Sequence, residues 1–209
     1  ERVSLIVASD AMLAEARQAL ERAGVPLQRI EFFLAPTDRS WTRDFLPTFV
    51  VASAPRAALG AVKWRFNGWA RYPNHELDEA AGQSVAQARA AKVWQPRASN
   101  IDGAPRAVLE GGAIDADGEG TLLTTEACLL GSNHPRNPSI NRLGNERLVR
   151  DYLGIERVLW LPGGIAGDDT SGHVDDVARF VAPGRIVVAE EQNPQDPNYT
   201  FLNAAREYL

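Results

Sequence analysis

Cysteine and methionine are nearly absent from this sequence, which has one of each among its 209 residues. Because Cys128 is the single cysteine, an intrachain disulfide is excluded, and the composition fits a reducing cytoplasm, where we expect the protein to reside. No apolar run approaches the roughly 18 residues that cross a membrane. We therefore expect no membrane association.

Clusters of like charge are also missing. The 22 basic and 27 acidic residues are interspersed along the chain and give a net charge of −5. Phosphate binding requires clustered lysine and arginine, so a nucleic-acid partner is not expected. Hydrophobic residues make up 44% of the chain, enough to fill a core. We expect a folded globular protein, and the sequence leaves open whether it forms a homo-oligomer.

Segments with strand and helix patterns alternate along the chain. Apolar periodicity predicts helices at 11–24, 76–92, 139–153 and 201–209. Strands are predicted at 3–8, 30–35, 46–51, 61–66, 156–161, 176–182 and 185–190, with a hairpin formed by 107–116 and 121–130. Strands occur both in hairpins and singly between helices. The pattern therefore favours an α/β fold with a mixed sheet or repeated small units over a purely parallel sheet.

The most acidic segment reads GDDTSGHVDD and spans 167–176. In an extended chain, side chains two residues apart point the same way, so His173 and Asp175 would face one site. An imidazole moves protons near neutral pH, and a carboxylate orients it or binds a cation. A solvated acidic loop is one alternative, and a metal site built from Asp168, Asp169, His173 and Asp175 is another. Because no second histidine stands at ligand spacing, we expect no metal.

Two further motifs combine carboxylates with features of a binding site. In LEGG, Glu110 precedes two glycines that let a ligand approach the backbone closely, although a simple turn with an exposed glutamate has the same pattern. In SWTRDFLP, a loop between strands crowds together Trp41, Arg43 and Asp44. An internal network of Arg43 with Asp44 would serve structure alone. The WRFNGW motif adds aromatic residues that would line a pocket or fill the core.

These carboxylates suit one kind of ligand. A planar guanidinium has several fixed N–H donors and calls for more than one carboxylate acceptor. Asp44, Glu110 and Asp175, together with His173, would supply those acceptors if the fold brought the three motifs together. The motifs therefore indicate a site for a small cationic guanidino substrate.

Together, the segments WTRDFLPTFV, LEGGAIDADGEGTLLTTEACLL, the RNP that follows, and GDDTSGHVDDVARF resemble the agmatine deiminase and bacterial peptidylarginine deiminase family. The resemblance runs from about Trp41 to Pro183 with the motifs in family order. It implies the pentein fold, an α/β propeller of five modules around a central polar site. This chain would hold about three of those modules as a single incomplete domain over residues 1–209, with both ends cut.

The resemblance also implies roles in the hydrolytic deimination of a guanidino group. In that family a cysteine thiolate attacks the guanidinium carbon, ammonia leaves, and water hydrolyses the covalent intermediate. His173 would be the general acid/base, with Glu110 as its acidic partner. Asp44 and Asp175 would bind the guanidinium nitrogens, and Trp41 would line the pocket. No metal or cofactor is implied.

Two features depart from the family pattern. The family nucleophile lies in a glycine-rich stretch near the C-terminus, whereas TLLTTEACLL, which holds Cys128, resembles a segment that does not carry it. Apolar neighbours make Cys128 a buried thiol with a high pKa, so we expect this chain to be catalytically incomplete. FNGWAR stands where agmatine deiminases usually continue as WGG. We expect conversion of agmatine to N-carbamoylputrescine; peptidylarginine as substrate and a non-catalytic guanidinium-binding protein are the alternatives.

Overall fold

A computed structural model describes residues 2–51, 58–99 and 101–209. Its strands are β1 Val3–Val7, β2 Ile30–Leu34, β3 Thr48–Val51, β4 Leu59–Val62, β5 Lys92–Trp94, β6 Asp115–Ala116, β7 Thr121–Thr125, β8 Arg157–Leu161, β9 Ala178–Ala182 and β10 Arg185–Val188. Its helices are α1 Asp10–Arg22, α2 Thr42–Phe45, α3 Glu76–Arg89, α4 Glu126–Leu129, α5 Arg142–Leu153 and α6 Tyr199–Tyr208. None of these helices has the length and apolar character needed to cross a bilayer.

In the described part of the chain, the strands form four small sheets. β1 pairs with β2 in parallel, and β9 pairs with β10 antiparallel. β3 pairs antiparallel with β4, which pairs in parallel with β5, and β6, β7 and β8 repeat this order. A helix precedes the second strand of every parallel pair, because such strands need a crossover connection. The expected α/β fold of repeated small units is therefore confirmed.

The repeating unit is a hairpin, a crossover helix and a parallel strand. Among the described residues two units are complete, the one from β3 to β5 and the one from β6 to β8. The segment β1–α1–β2 and the segment β9–β10–α6 each supply three elements of the same unit. The repeat lies in the order of the strands and helices and not in repeated stretches of sequence.

Short polar side chains fix where the helices begin. Ser9 accepts a hydrogen bond from the Met12 N–H at the start of α1, and Asn141 does the same for Gly144 at the start of α5. Each satisfies a backbone donor that has no partner inside the helix. Gly154 ends α5 in the left-handed conformation, with φ of 71°, which glycine adopts at little cost.

Several predicted elements are shorter than expected or of another type. Helix α3 ends at Arg89, and Lys92–Trp94 is a strand because it pairs with β4. The predicted 61–66 strand extends only to Val62. Residues Thr42–Phe45 form one helical turn instead of a loop, and Glu126–Leu129 form another instead of continuing the strand. The hairpin forms, but its first strand is only Asp115–Ala116.

In the ranges that the structure describes, apolar residues form three clusters of buried side chains. Trp64 lies in the largest of them, next to α5, and is therefore a core residue. Trp69 packs edge-on against Phe66 in a second cluster, which also holds Phe45 of α2. Because this cluster fixes α2, the packing carries Asp44 into the interior of the protein, where it is 9% exposed.

Candidate active site

Three short segments meet at the site. Helix α2 contacts the 3₁₀ turn Gly111–Ala113, which in turn contacts the 3₁₀ turn Val174–Asp176. The expectation that His173 and Asp175 belong to an extended segment is wrong, because His173 stands just before a 3₁₀ turn. Their side chains face one cavity nonetheless, because the turn wraps both around it.

Gly112 allows the segments to approach each other. Its N–H donates to Asp44 Oδ1 at 2.9 Å. A Cβ atom at this position would lie 2.3 Å from His173 Nδ1 and 2.9 Å from Asp44 Oδ1. Real side chains do not reach such distances, so the second glycine of LEGG is a packing requirement of the site.

Glu110 and His173 form the buried centre of the site. His173 Nε2 lies 3.7 Å from Glu110 Oε2, and the two side chains are 3% and 0% exposed. Glu110 Oε1 accepts a hydrogen bond of 3.0 Å from Arg136 Nε. The Arg136 guanidinium also donates to the carbonyls of His134 and Thr170. A buried arginine thus anchors the carboxylate that faces the imidazole.

The charges of this centre support one another. Burial opposes ionisation of Glu110, but His173 and the Arg136 guanidinium outweigh it and hold the pKa of Glu110 below its usual value. Burial also opposes protonation of His173. The carboxylates of Glu110, Asp44 and Asp175 outweigh that effect and raise the pKa of the imidazole. His173 is therefore placed to hold a proton close to neutral pH.

Asp44 and Asp175 flank the imidazole. Asp44 accepts from Gly112 and, through Oδ2, from the Trp69 indole N–H at 3.2 Å. Burial raises the pKa of Asp44, against the opposing effects of His173 and the Gly112 N–H. Asp175 Oδ1 lies 3.8 Å from His173 Nδ1, and its Oδ2 lies 3.3 Å from Arg43 Nε. Arg43 therefore pairs with Asp175 across the fold, and the alternative of a local network between Arg43 and Asp44 does not form.

A cavity of about 490 Å³ opens beside these groups. Carboxylates dominate its polar lining, namely those of Asp44, Asp168, Asp169, Asp175 and Asp176. Trp41 also lines it, with 64% of its surface exposed, and Trp69 forms another wall. A larger cavity of about 580 Å³ lies beside β1 and α3, but its lining includes one carboxylate, Asp38, and two arginines. The smaller, acidic cavity is therefore the candidate cation site.

The acidic loop before His173 is held by its own hydrogen bonds. Asp168 accepts from the N–H groups of Thr170 and Gly172 and from the Thr170 hydroxyl. Asp169 accepts from the Tyr72 hydroxyl at 2.7 Å. These bonds give both aspartates a role in shaping the loop. The group with metal-ligand spacing in the described residues is a different one, made of Glu110, Cys128 and His173.

Cys128 lies in the core, as its apolar neighbours predicted, and is 1% exposed. Burial, reinforced by the Glu110 carboxylate, raises the pKa of its thiol far above the usual range. Its N–H donates to Thr125 Oγ1 at 3.0 Å. Cys128 is thus a thiol held in the protonated form, and it is not among the described residues that line the acidic cavity.

The sequence did not predict the roles that three residues have in the site. Arg136 was noted only as part of RNP, yet it anchors Glu110. Trp69 was left between pocket and core, and it serves both. For Arg43 the sequence offered a network with Asp44 as one alternative, whereas the structure pairs it with Asp175 and Asp115. An arginine beside an asparagine and a proline carries no signal of burial, so only tertiary contacts reveal the role of Arg136.

The family model of Porphyromonas-type peptidyl-arginine deiminase matches residues 1–209. The agmatine deiminase of Pseudomonas fluorescens is 37% identical over 193 residues, which cover 90% of this chain and 49% of the relative. That of Pseudomonas aeruginosa is 36% identical over 210 residues, covering 98% of this chain and 52% of the relative. The chain spans about half the length of the curated relatives it matches.

Solved structures of agmatine deiminases share the fold. The Enterococcus faecalis enzyme superposes with a TM-score of 0.82 at 30% identity, covering 98% of this chain and 52% of that one. A substrate-bound cysteine-to-serine variant from C. jejuni gives 0.80 at 28% identity, covering 100% and 56%. The architecture is therefore of the pentein type, as expected. Since the family model matches the whole sequence, this chain belongs to the Porphyromonas-type peptidyl-arginine deiminase family.

Proposed function

We propose that this protein contributes the guanidinium-binding and acid/base half of an active site that hydrolyses a guanidino group to a ureido group and ammonia. The observation that carries the proposal is the convergence of Asp44, Glu110 and Asp175 on His173 at an acidic cavity. Carboxylates on two sides of a cavity are suited to the in-plane N–H donors of a guanidinium. The imidazole between them supplies the proton-transfer group.

Each side chain has a part in this chemistry. Asp44 and Asp175 hold the guanidinium nitrogens and place its carbon beside His173. Glu110, ionised and anchored by Arg136, stabilises the protonated imidazole. His173 then gives a proton to the departing ammonia and takes one from the water that attacks next. Trp41 and Trp69 flank the ligand.

The proposed mechanism needs a cysteine other than Cys128. A nucleophile must reach the cavity and ionise, whereas Cys128 is buried and its pKa is raised. The family resemblance puts the nucleophile in a glycine-rich segment of another part of the enzyme. The C. jejuni relative, with its substrate bound, is a cysteine-to-serine variant. We therefore assign the whole reaction to a protein that also contains such a segment, with these 209 residues supplying the groups named above.

Agmatine is the first proposed substrate. The curated relatives are agmatine deiminases. The further cavity carboxylates of Asp168, Asp169 and Asp176 favour a ligand that is positive at both ends. Peptidylarginine is the second candidate, because it is the substrate in the name of the matching family. The scarcity of cysteine in these 209 residues also supports our proposal of a cytoplasmic protein.

Ammonia release from agmatine and from an arginyl peptide tests this proposal. It is measured with the full chain, meaning a protein that contains both these 209 residues and the segment with the nucleophilic cysteine. We expect agmatine to be turned over faster, and His173→Ala to abolish turnover while agmatine still binds in calorimetry. Putrescine, which lacks the guanidino group, is the control ligand and should bind more weakly. Preference for the peptide would select the second substrate. Agmatine binding without ammonia release would favour a guanidinium-binding protein, and unchanged turnover by His173→Ala would contradict the role of the imidazole.

A further inference from the structure

Glu110, Cys128 and His173 form a compact buried group. Each offers one ligand atom that lies within 4.8 Å of the other two. Their exposures are 0%, 1% and 3%. The group belongs to three elements, since Glu110 precedes the Gly111–Ala113 turn, Cys128 is in α4 and His173 precedes the last 3₁₀ turn. The fold thus brings a thiol, an imidazole and a carboxylate to one point.

A second, independent feature lies at the same point. Glu110 Oε2 and His173 Nε2 are both buried and have no hydrogen-bond partner, although they face each other across 3.7 Å. More than nine in ten buried polar groups have a partner, because an unpaired one costs about 1–3 kcal/mol. These two atoms form an ion pair that is longer than a hydrogen bond, so each retains the capacity to bind a third group close to both of them and to Cys128.

We propose that Glu110, Cys128 and His173 form a binding site for a thiophilic divalent metal ion such as Zn²⁺. Thiolate, imidazole and carboxylate are the three ligand types that this ion takes in proteins. A metal ion displaces the proton of a coordinating thiol, so burial of the neutral thiol is compatible with ligation. Three protein ligands leave a further position for water or a bound ligand.

The surroundings of the site hold its ligands in place. Glu110 accepts a hydrogen bond from Arg136 through Oε1 and turns Oε2 toward His173, so Arg136 orients the carboxylate while Oε2 makes no hydrogen bond. Thr125 Oγ1 accepts from the Cys128 N–H and donates to the Gly172 carbonyl, which joins the thiol segment to the residue before His173. Partners of this kind orient metal ligands and strengthen binding.

Occupation of the site has a consequence for the reaction. The metal would take the two side chains that we assign to proton transfer, so it would inhibit deimination. This consequence rests on the proposed function, whereas metal binding itself does not. The site shares His173 with the one considered in the sequence but has Glu110 and Cys128 in place of the three aspartates.

The test is a titration of the full chain with Co²⁺, which reports a bound thiolate by its absorption. We expect one Co²⁺ per chain with a thiolate-to-cobalt band, and displacement of Co²⁺ by Zn²⁺. Cys128→Ala should remove the band, and Glu110→Gln should weaken affinity by more than the roughly 10- to 100-fold that loss of an outer partner costs. His75→Asn is the matched control, since His75 Nδ1 is also buried and unpartnered, and it should leave the titration unchanged.

Two results would overturn the proposal. One is the absence of a thiolate band at excess Co²⁺, and the other is a band that persists in Cys128→Ala, which would place the metal on another cysteine. Circular dichroism of each variant establishes that it is folded, and Cys128→Ser replaces Cys128→Ala if the latter is not. Agmatine calorimetry on the metal-free sample separates the two proposals, because failure of agmatine to bind leaves the cobalt result intact.

Discussion

Burial lowers the pKa of His173 and the neighbouring carboxylates raise it, and the carboxylates have the larger effect. Removal from water disfavours the imidazolium, while three carboxylates face it from the segments around it. Glu110 can remain ionised in the interior because the buried Arg136 lies against it, held by further hydrogen bonds to the carbonyls of His134 and Thr170. The polar centre is thus a balanced set of charges, in which loss of one member leaves the others uncompensated.

Removing the charge of Asp175 tests its role in binding. Asp175→Asn keeps the shape of the side chain but loses a charge-assisted pair with the guanidinium. We expect agmatine binding to weaken by about 1.5–3 kcal/mol, measured by calorimetry on the full chain. The exposed Asp102, changed to asparagine, is the control and should bind as the unaltered protein does. Equal affinity of both variants would mean that Asp175 does not contact the guanidinium.

The pH dependence of binding should report on Asp44. Its carboxylate binds the cation only when ionised, and its pKa is raised by burial. Affinity is therefore complete above this raised pKa and is lost as the pH falls through it, at a higher pH than for an exposed aspartate. Calorimetry from about pH 7 to about pH 4 measures the effect. The Asp44→Asn variant should bind agmatine weakly and lose this part of the pH dependence. If its pH profile were the same as that of the unaltered protein, the pH dependence would belong to another group.

At the scale of elements, the site is built by short turns that join the strands and helices. Helix α2 and the turns at 111–113 and 174–176 hold or adjoin Asp44, Glu110, His173 and Asp175. A turn of three or four residues has few bonds of its own, so its position depends on what it contacts. Gly112 is the point where all three segments touch.

Gly112→Ala should therefore affect both stability and function. The new methyl group would clash with His173 Nδ1 and Asp44 Oδ1. We expect a loss of about 1–3 kcal/mol in the free energy of unfolding and a fall in turnover on the order of 100-fold. Denaturant unfolding and ammonia release on the full chain measure the two effects.

Gly118→Ala is the control for that variant. Gly118 has φ of 80° in the turn before β7, and no atom lies within 4 Å of an added Cβ. The left-handed backbone should cost about 1–2 kcal/mol in stability, with turnover unchanged. If Gly112→Ala lost stability alone, the turn would be a structural feature without influence on the site.

At the scale of the whole molecule, Asp115 joins successive units. Its Oδ1 lies 3.8 Å from Arg43 and 3.1 Å from Arg179, and its Oδ2 accepts the Phe180 N–H at 2.6 Å. Arg43 precedes β3, Asp115 begins β6, and Arg179 and Phe180 belong to β9. Because Arg43 also pairs with Asp175, this network connects the packing of units to the cavity.

Asp115→Asn should loosen this connection. We expect the free energy of unfolding to fall by about 1–2 kcal/mol, at the low end for charged hydrogen bonds because both arginines are half exposed. Agmatine affinity should fall as well, since Arg43 would be free to draw Asp175 away. Glu126→Gln, which removes an exposed pair with Arg142, should cost less than about 1 kcal/mol. An equal effect of both changes on stability and affinity would contradict the network.

Much of the fold follows from local properties of the sequence. Periodicity placed α1, α5 and β8 within about two or three residues, because amphipathic segments and their caps depend on near neighbours. The same sequence indicated the carboxylates and His173 as a guanidinium site, since residue types limit the chemistry. It also identified Cys128 as a buried thiol.

Other features were decided only by tertiary contacts. The segment Lys92–Trp94 is a strand because β4 lies beside it, and α2 forms where Phe45 enters a core. Arg136 carries no signal of its own, and its meaning comes from Glu110, 26 residues earlier in the chain. The approach of Cys128 to Glu110 and His173 has the same origin. The sequence determined which chemical groups were available, and packing determined which of them meet, because contacts between distant residues depend on how whole units are stacked.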